Sequence, residues 1–342
     1  MKKIFSIILT VVMLSAVLAG CGSATMDEIN QNTNISVASI GGEDIYAYEM
    51  IYLMKMGYSK EDALNEISSL KASVAKAKEQ GIALTEEDAS TIESQMEELA
   101  AQFGGEEALL KEFENLGITK DQYKEIMRLS LIVDHLNEQL VDLGLFKEVT
   151  DDEVLAFYDA NFLRAQHILF ATLDENSQQI SEEEIKNKKA QAEDVAKKIS
   201  EGAKFEDLVS LSEDPGLESS PNGYTFVNSA AQSVASNELM LAYFQQAGIP
   251  VMVEAFEKGT AALDVNEVSG VIESDYGYHI IKRYDLHGDG NEYEEMKYYI
   301  GGVLNNIKYT ELVESWKSEM KQKTNKYYEA LEVSVASQPA TN

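Results

Sequence analysis

Apolar positions recur along this chain at two different spacings, and the change from one to the other divides it. From Glu49 to Asp142 the spacing is three and four residues, as in Leu64, Ile67, Leu70 and Val74. That period predicts a series of amphipathic helices, each burying one stripe. The helix starts carry capping signals, Ser59 with Asp62, Thr85 with Asp88 and Thr119 with Gln122. Gln122 can also reach back to complete a full capping box. Phe103-Gly104-Gly105 and Leu116-Gly117-Ile118 read as breaks between helices. Ahead of them, Ile35 to Ile40 alternates with period two and meets Gly41-Gly42 before Ile45 resumes, a short hairpin signal. Thr150 with Glu153 and Ser181 with Glu184 cap two further helices, the second ending near Ile199. Arg164 to Leu169 and Tyr276 to Lys282 are short apolar runs bounded by polar or turn-forming residues, each read as a strand. A charged helical pattern then runs from Tyr293 to about Leu331, interrupted near Gly301-Gly302, and residues 332–342 read as a disordered polar tail.

The first residues set an expected compartment. Lys2 and Lys3 precede an apolar run from Ile4 to Val17, shorter than the roughly 20 residues of a membrane span and placed like the core of a signal peptide over residues 1–20. Leu18-Ala19-Gly20-Cys21 resembles the lipobox of bacterial lipoproteins, which implies lipidation of Cys21 and anchoring on the extracytoplasmic face of the cell membrane. Cys21 is the sole cysteine, which excludes an intramolecular disulfide and a multi-cysteine metal site. Residues 21–34, small and polar, read as a flexible tether. With 342 residues and 44% hydrophobic content, the chain can fill more than one core. Its formal charge of −31 argues against nucleic-acid binding, which needs clustered Lys and Arg, and favours basic or metal-loaded partners.

The candidate chemistry lies in the two strands. Of four histidines, His167 and His279 sit in those apolar runs, and two imidazoles presented on one buried sheet suggest a site. The segments Arg164-Ala165-Gln166-His167-Ile168-Leu169 and Tyr276-Gly277-Tyr278-His279-Ile280-Ile281-Lys282 resemble the first and last strands of the parvulin class of peptidyl-prolyl isomerases. Between them stand further pieces in that family's order: Phe205 and Leu208 on a helix, Ser212-Glu213-Asp214, Met252 with Phe256, Ala261-Ala262-Leu263 and Glu267-Val268-Ser269. The resemblance covers roughly residues 164–285, and the flanks look like PrsA-type foldase lipoproteins and the related SurA-like chaperones. It implies an α+β protein in which residues 35–150 and a C-terminal helix over 290–331 build one helical chaperone body. Residues 164–285 are then inserted as a small antiparallel sheet flanked by helices.

The activity implied is rotation about X-Pro bonds, whose barrier of about 18–20 kcal/mol reflects amide resonance. No bond to carbon, nitrogen or oxygen is made, so the site needs an apolar pocket for the proline ring, exclusion of water and a few fixed polar groups. By resemblance, Met252 and Phe256 line that pocket, and their spacing of four residues would put both on one helical face. Tyr224 stands where the family has an apolar residue. His167 and His279 correspond to paired core histidines, and Asp214 to the position of an aspartate or cysteine. None is read as a nucleophile, and neither cofactor nor metal is implied. His135 and His287 read as surface or packing residues.

The chain departs from the family at one place. The glycine-rich turn is reduced to Asn222-Gly223-Tyr224-Thr225-Phe226, and an insertion from Val227 to Val251, with a helical piece around Leu239 to Phe244, is expected to border the groove. The leading reading is a membrane-anchored foldase acting on unfolded, newly exported polypeptides, with a homodimer left open. The alternative is a holdase chaperone whose parvulin-like domain turns over weakly, for which these departures near Phe226 are the evidence. A solute-binding lipoprotein would require two lobes of alternating strand and helix, which the all-helical stretch from 49 to 142 does not supply.

Overall fold

The computed structural model describes residues 24–231, 234 and 238–332, which divide into two compact units, one formed by the chain up to Lys147 and from Tyr309 onward, the other by Glu148–Lys308. Residues 1–23, Cys21 among them, and residues 333–342 lie outside the described residues, so the expected signal peptide, lipidation and polar tail do too. The elements in chain order begin with α1 (Ala24–Gln31), β1 (Ser36–Ile40), β2 (Glu43–Tyr46), α2 (Ala47–Lys55), α3 (Lys60–Glu79), α4 (Glu86–Gln102), α5 (Glu106–Asn115) and α6 (Lys120–Gln139). Next come α7 (Asp151–Asn161), β3 (Phe162–Ala171), α8 (Glu182–Ser200), β4 (Tyr224–Val227), α9 (Glu238–Gln246), α10 (Glu254–Ala261), β5 (Val268–Ser274) and β6 (Gly277–Arg283). The chain closes with α11 (Tyr293–Glu319), β7 (Gln322–Thr324) and α12 (Lys326–Ala330).

In the first unit, β1 and β2 form the expected hairpin, with Ile40 opposite Glu43 across a turn in which Gly41 and Gly42 have φ of 59° and 92°. Two consecutive positive φ values are the geometry that matches strand twist in a two-residue hairpin, and glycine adopts it without strain. At Gly41 space is limiting too, since a Cβ there would lie 2.8 Å from Met320 Sδ. The capping signals act as read: Ser59, Thr85 and Thr119 accept from the backbone N–H three residues on, and Gln122 returns a bond to the Thr119 N–H at 2.9 Å. Asp88 reaches back in the same way, so the Thr85 box is also complete.

Three features of this unit differ from the sequence reading. The tether is occupied by α1, whose Ile29 is fully buried in a cluster with Val37, Met50 and Leu331, against which Met26, Tyr327 and Tyr328 also pack. The strand β7 pairs antiparallel with β1, Ile40 opposite Gln322, so segments that precede and follow the second unit in sequence share one sheet of order β2-β1-β7. The C-terminal helix α11 passes unbroken through Gly301-Gly302, with residues up to Lys308 in the second unit and those from Tyr309 in the first. Two glycines cost a helix about 1 kcal/mol each, and the buried Ile300 and Val303 that flank them offset this.

The second unit is built on an antiparallel sheet of order β4-β3-β6-β5. Nine of the ten β3 residues are buried, because both faces of the strand are covered. Ile168 and Phe170 of β3, with Tyr278 and Ile280 of β6, face α8 at Ala192 and Val195. The alternate positions Leu163, Ala165 and Ile281 face α10 at Phe256, together with Phe226 of β4. The period-two alternation therefore selects which residues share a face with Phe256, and His167 and His279 fall on that side. Phe205 and Leu208 lie in turns leading into a 3₁₀ turn at Val209–Leu211 rather than on an α-helix. Both still point their apolar side chains into the α8 cluster.

Candidate active site on the sheet of the second unit

Strands β3 and β6 pair with His167 opposite Ile281 and His279 opposite Leu169, which makes the histidines diagonal neighbours on one face. Their rings stack with centroids 5.1 Å apart and planes 13° from parallel, and the two Nδ1 atoms are 2.9 Å apart. His167 Nε2 lies 3.0 Å from Asp214 Oδ2, and His279 Nε2 lies 2.6 Å from Ser274 Oγ. Asp214 follows the 3₁₀ turn and is fixed by its neighbours: its Oδ1 accepts from the Gly216 N–H at 3.0 Å and its Oδ2 from the Tyr224 hydroxyl at 2.6 Å.

These distances define a directional chain. Burial pushes the Asp214 carboxyl up, but the hydrogen bonds from His167, Tyr224 and the Gly216 N–H outweigh it and hold the group down at about 2. Burial, with His167 alongside, pulls His279 down to about 4. An ionised Asp214 only accepts, so His167 presents Nε2–H to it. The 2.9 Å between the two Nδ1 atoms requires one donor and one acceptor, so His167, with its proton on Nε2, accepts at Nδ1 from His279 Nδ1–H, and His279 Nε2 accepts from the Ser274 hydroxyl. Burial and the bond to Asp214 both raise the Tyr224 phenol, so it stays protonated as the donor.

The apolar part stands against this chain. Phe256, 3% exposed, meets the His167 ring edge-on at 5.1 Å and the Phe226 ring at 5.5 Å. Leu163, Leu263 and Ile281 complete the buried cluster, with Met252 and Tyr224 as partly buried members. The six residues that the sequence singled out, His167, Asp214, His279, Tyr224, Met252 and Phe256, thus come together in one place. The reason for Met252 differs: it precedes the Val253 N-cap of α10, so it reaches the cluster from the connection into the helix and not from a shared helical face. Ser274 escaped the sequence reading, since only the β5–β6 pairing, with Ser274 opposite Gly277, brings it to His279. Gly216 escaped it as well. Of the remaining histidines, His135 pairs with the buried Asp88 at 3.0 Å and the half-exposed His287 with Asp159 at 2.6 Å.

The insertion adjoins the site at its two ends, and its described apolar residues pack elsewhere. It leaves and returns at one point, since Val227 and Val251 form a parallel bridge and the Val227 N–H donates to Pro250 O at 3.2 Å. Its Val234, Met240, Phe244 and Ile249 pack with Val154, Tyr158 and Phe162 and with Met296, Ile300 and Val303 of α11, a cluster separate from that of Phe256. The excursion is drawn away by its own apolar residues, which find α7 and α11 to cover them. Ser229 at its start donates to Glu257 on α10.

Residues 153–286 match the PPIC-type PPIase domain family, and the protein is a parvulin-class peptidyl-prolyl cis-trans isomerase. Beyond that domain, the chain is 26% identical over 285 residues to Foldase protein PrsA of Staphylococcus aureus, a match covering 82% of this chain and 76% of that one. It is 28% identical over 180 residues to Foldase protein PrsA of Bacillus subtilis, across 52% and 47% of the two chains. These matches support a PrsA-type parvulin foldase. Among solved structures it is similar to the peptidylprolyl isomerase PrsA of Bacillus cereus, at 20% identity, 90% and 96% coverage and a TM-score of 0.35.

Proposed function

We propose that this isomerase turns over X-Pro bonds of exported, unfolded polypeptides at the Phe256 cluster, while a lipid on Cys21 holds it at the outer face of the cell membrane. The proline ring would lie against Phe256 and Met252, from the side on which Met252 and Tyr224 are partly exposed. The observation that carries this reading is the uninterrupted chain Tyr224–Asp214–His167–His279–Ser274 running beside that apolar cluster. Such a chain supplies fixed dipoles whose protons need no rearrangement as the amide twists, and the buried sheet excludes water. The alternative of a weak domain rests on the reduced turn from Asn222 to Phe226 and on the insertion, and the packing of the insertion's apolar residues onto a cluster other than that of Phe256 weakens the second of these grounds.

A protease-coupled assay on proline tetrapeptides tests the enzymatic part. Turnover that falls at least tenfold in Phe256→Ala at a temperature where the variant remains folded is the expected result. Loss of activity only in step with loss of fold would make Phe256 a plain core residue. The anchoring part is tested by Cys21→Ala, which should release the protein from membranes because the apolar leader is too short to hold it. Retention in the membrane fraction after a high-salt wash would refute the lipid anchor.

A further inference from the structure

We propose that Tyr224 is a positioning residue for the isomerase site: its hydroxyl immobilises Asp214, Asp214 fixes the donor face of His167, and residue 216 is glycine because the phenol occupies the space above it. The inference rests on the reading that places turnover at the histidine pair.

A carboxylate held by one partner can turn about its own bond and offer either oxygen. Asp214 cannot, because each oxygen is held separately. Oδ1 takes the Gly216 N–H at 3.0 Å, and Oδ2 takes the Tyr224 hydroxyl at 2.6 Å. The second oxygen is also the one that faces His167 Nε2 at 3.0 Å, so a single pinned atom receives both donors. Tyr224 is itself placed by the sheet, as the first residue of β4 opposite Ala165, and its ring meets the His167 ring edge-on at 6.0 Å. A Cβ on Gly216 would lie 2.1 Å from the Tyr224 hydroxyl oxygen and 3.2 Å from Cζ, so any side chain at 216 would displace the phenol. Asp214, Gly216 and Tyr224 therefore form one unit, and each residue type accounts for another.

The consequence reaches the histidines through the tautomer. With Asp214 fixed as acceptor, His167 keeps its proton on Nε2 and leaves Nδ1 free to accept from His279. Without the phenol, the carboxylate gains rotational freedom and loses one of its donors. Asp214 still accepts, but its oxygen is no longer fixed in line with His167 Nε2, so the preference for one His167 tautomer weakens although the ring contact with Tyr224 survives.

Tyr224→Phe removes the hydroxyl and keeps the ring. The expected result is about a tenfold loss of kcat/KM on a proline tetrapeptide, carried by kcat, as for a lost hydrogen bond to a charged group. In ¹⁵N spectra of the imidazoles, His167 should move from the Nε2–H pattern toward a mixture of tautomers. Gly216→Ala, which pushes the phenol off Asp214, should reproduce both effects, and the double variant should be no worse than either single one. Unchanged kcat/KM with an unchanged His167 spectrum in Tyr224→Phe would overturn the proposal. Lost activity with an unchanged spectrum would overturn it too, by placing the hydroxyl on the substrate. Losses that multiply in the double variant would separate Gly216 from Tyr224. If Gly216→Ala does not fold, the isosteric Tyr224→Phe decides alone. The spectra do not depend on turnover, so a protein without isomerase activity would refute the functional reading while still testing the positioning role.

Discussion

Each unit buries a polar network, and the two networks are built on opposite plans. In the helical unit Glu49 and Lys71, 3% and 5% exposed, form a salt bridge of 2.8 Å, and Glu49 also accepts from the Tyr46 N–H at 2.8 Å. Burial raises the Glu49 carboxyl against the lowering influence of Lys71, so this pair serves mainly to cancel its own desolvation. In the isomerase unit the chain from Tyr224 to Ser274 has one charged member, Asp214, between Tyr224 and His167, and leaves His279 buried and neutral. A closed pair of charges is a structural device. An open chain of oriented donors, lying beside an apolar cluster, has protons that can be read by something placed against it.

The largest effect that would sharpen this contrast is expected in the closed pair. Lys71→Met leaves a buried carboxylate with one backbone partner and should destabilise the helical unit by about 3–5 kcal/mol at neutral pH. Chemical denaturation followed in that unit would show it, with tetrapeptide turnover unchanged below the melting range. A loss under 1 kcal/mol would mean that Glu49 is already protonated and that the two networks are less different than they look.

Nearly as large, and confined to the isomerase unit, is the expected cost of Phe244→Ala. The ring is fully buried against Phe157 and Phe162, and its removal should cost about 3–4 kcal/mol of stability. Because Phe244 belongs to the insertion's own cluster, kcat/KM of the folded enzyme should stay within about twofold of the parent. A selective fall in kcat/KM would show that the insertion reaches the site after all.

Acid should act on the open network. Unfolded His279 takes up its proton near 6.5 and folded His279 near 4, so the unfolded chain binds more protons between those values and stability falls as pH drops through that window. The shift amounts to about 3 kcal/mol, measurable as a falling denaturation midpoint of the isomerase unit from pH 7 to pH 4. Asp214, held at about 2, contributes stability above its ordinary value that is lost only at lower pH. A flat midpoint over pH 7 to 4 would indicate that His279 is solvated.

The smallest change concerns ordinary helix ends. Thr119→Ala removes the acceptor of the Gln122 N–H and should lower the helical unit's stability by about 1 kcal/mol, with no effect on turnover. A change in kcat/KM would link the helical unit to the chemistry.

Much of this arrangement was legible along the chain because it rests on local rules. Capping boxes satisfy helix N–H groups within four residues, Gly41-Gly42 sets a two-residue turn, and period-two alternation assigns His167 and His279 to one face. The resemblance of the two histidine segments and the pieces between them to the parvulin class, not these local rules, implied the inserted α+β fold and the six residues of the site. Contacts between distant segments carried no such signal. The strand β7, three exposed polar residues, has no hydrophobic pattern and exists because β1 offers it an edge. The helix α1 forms within a polar stretch because Ile29 finds Val37 and Leu331. Ser274 meets His279 only through strand register, and Gly216, in a turn, is required only by a tyrosine on β4. The folding of the insertion onto α7 and α11, away from Phe256, was likewise a matter of which apolar faces remained uncovered once the sheet had formed. Local hydrogen bonding and periodicity are properties of neighbouring residues, whereas the partner of a buried face or a shared carboxylate oxygen is chosen by packing across the whole unit.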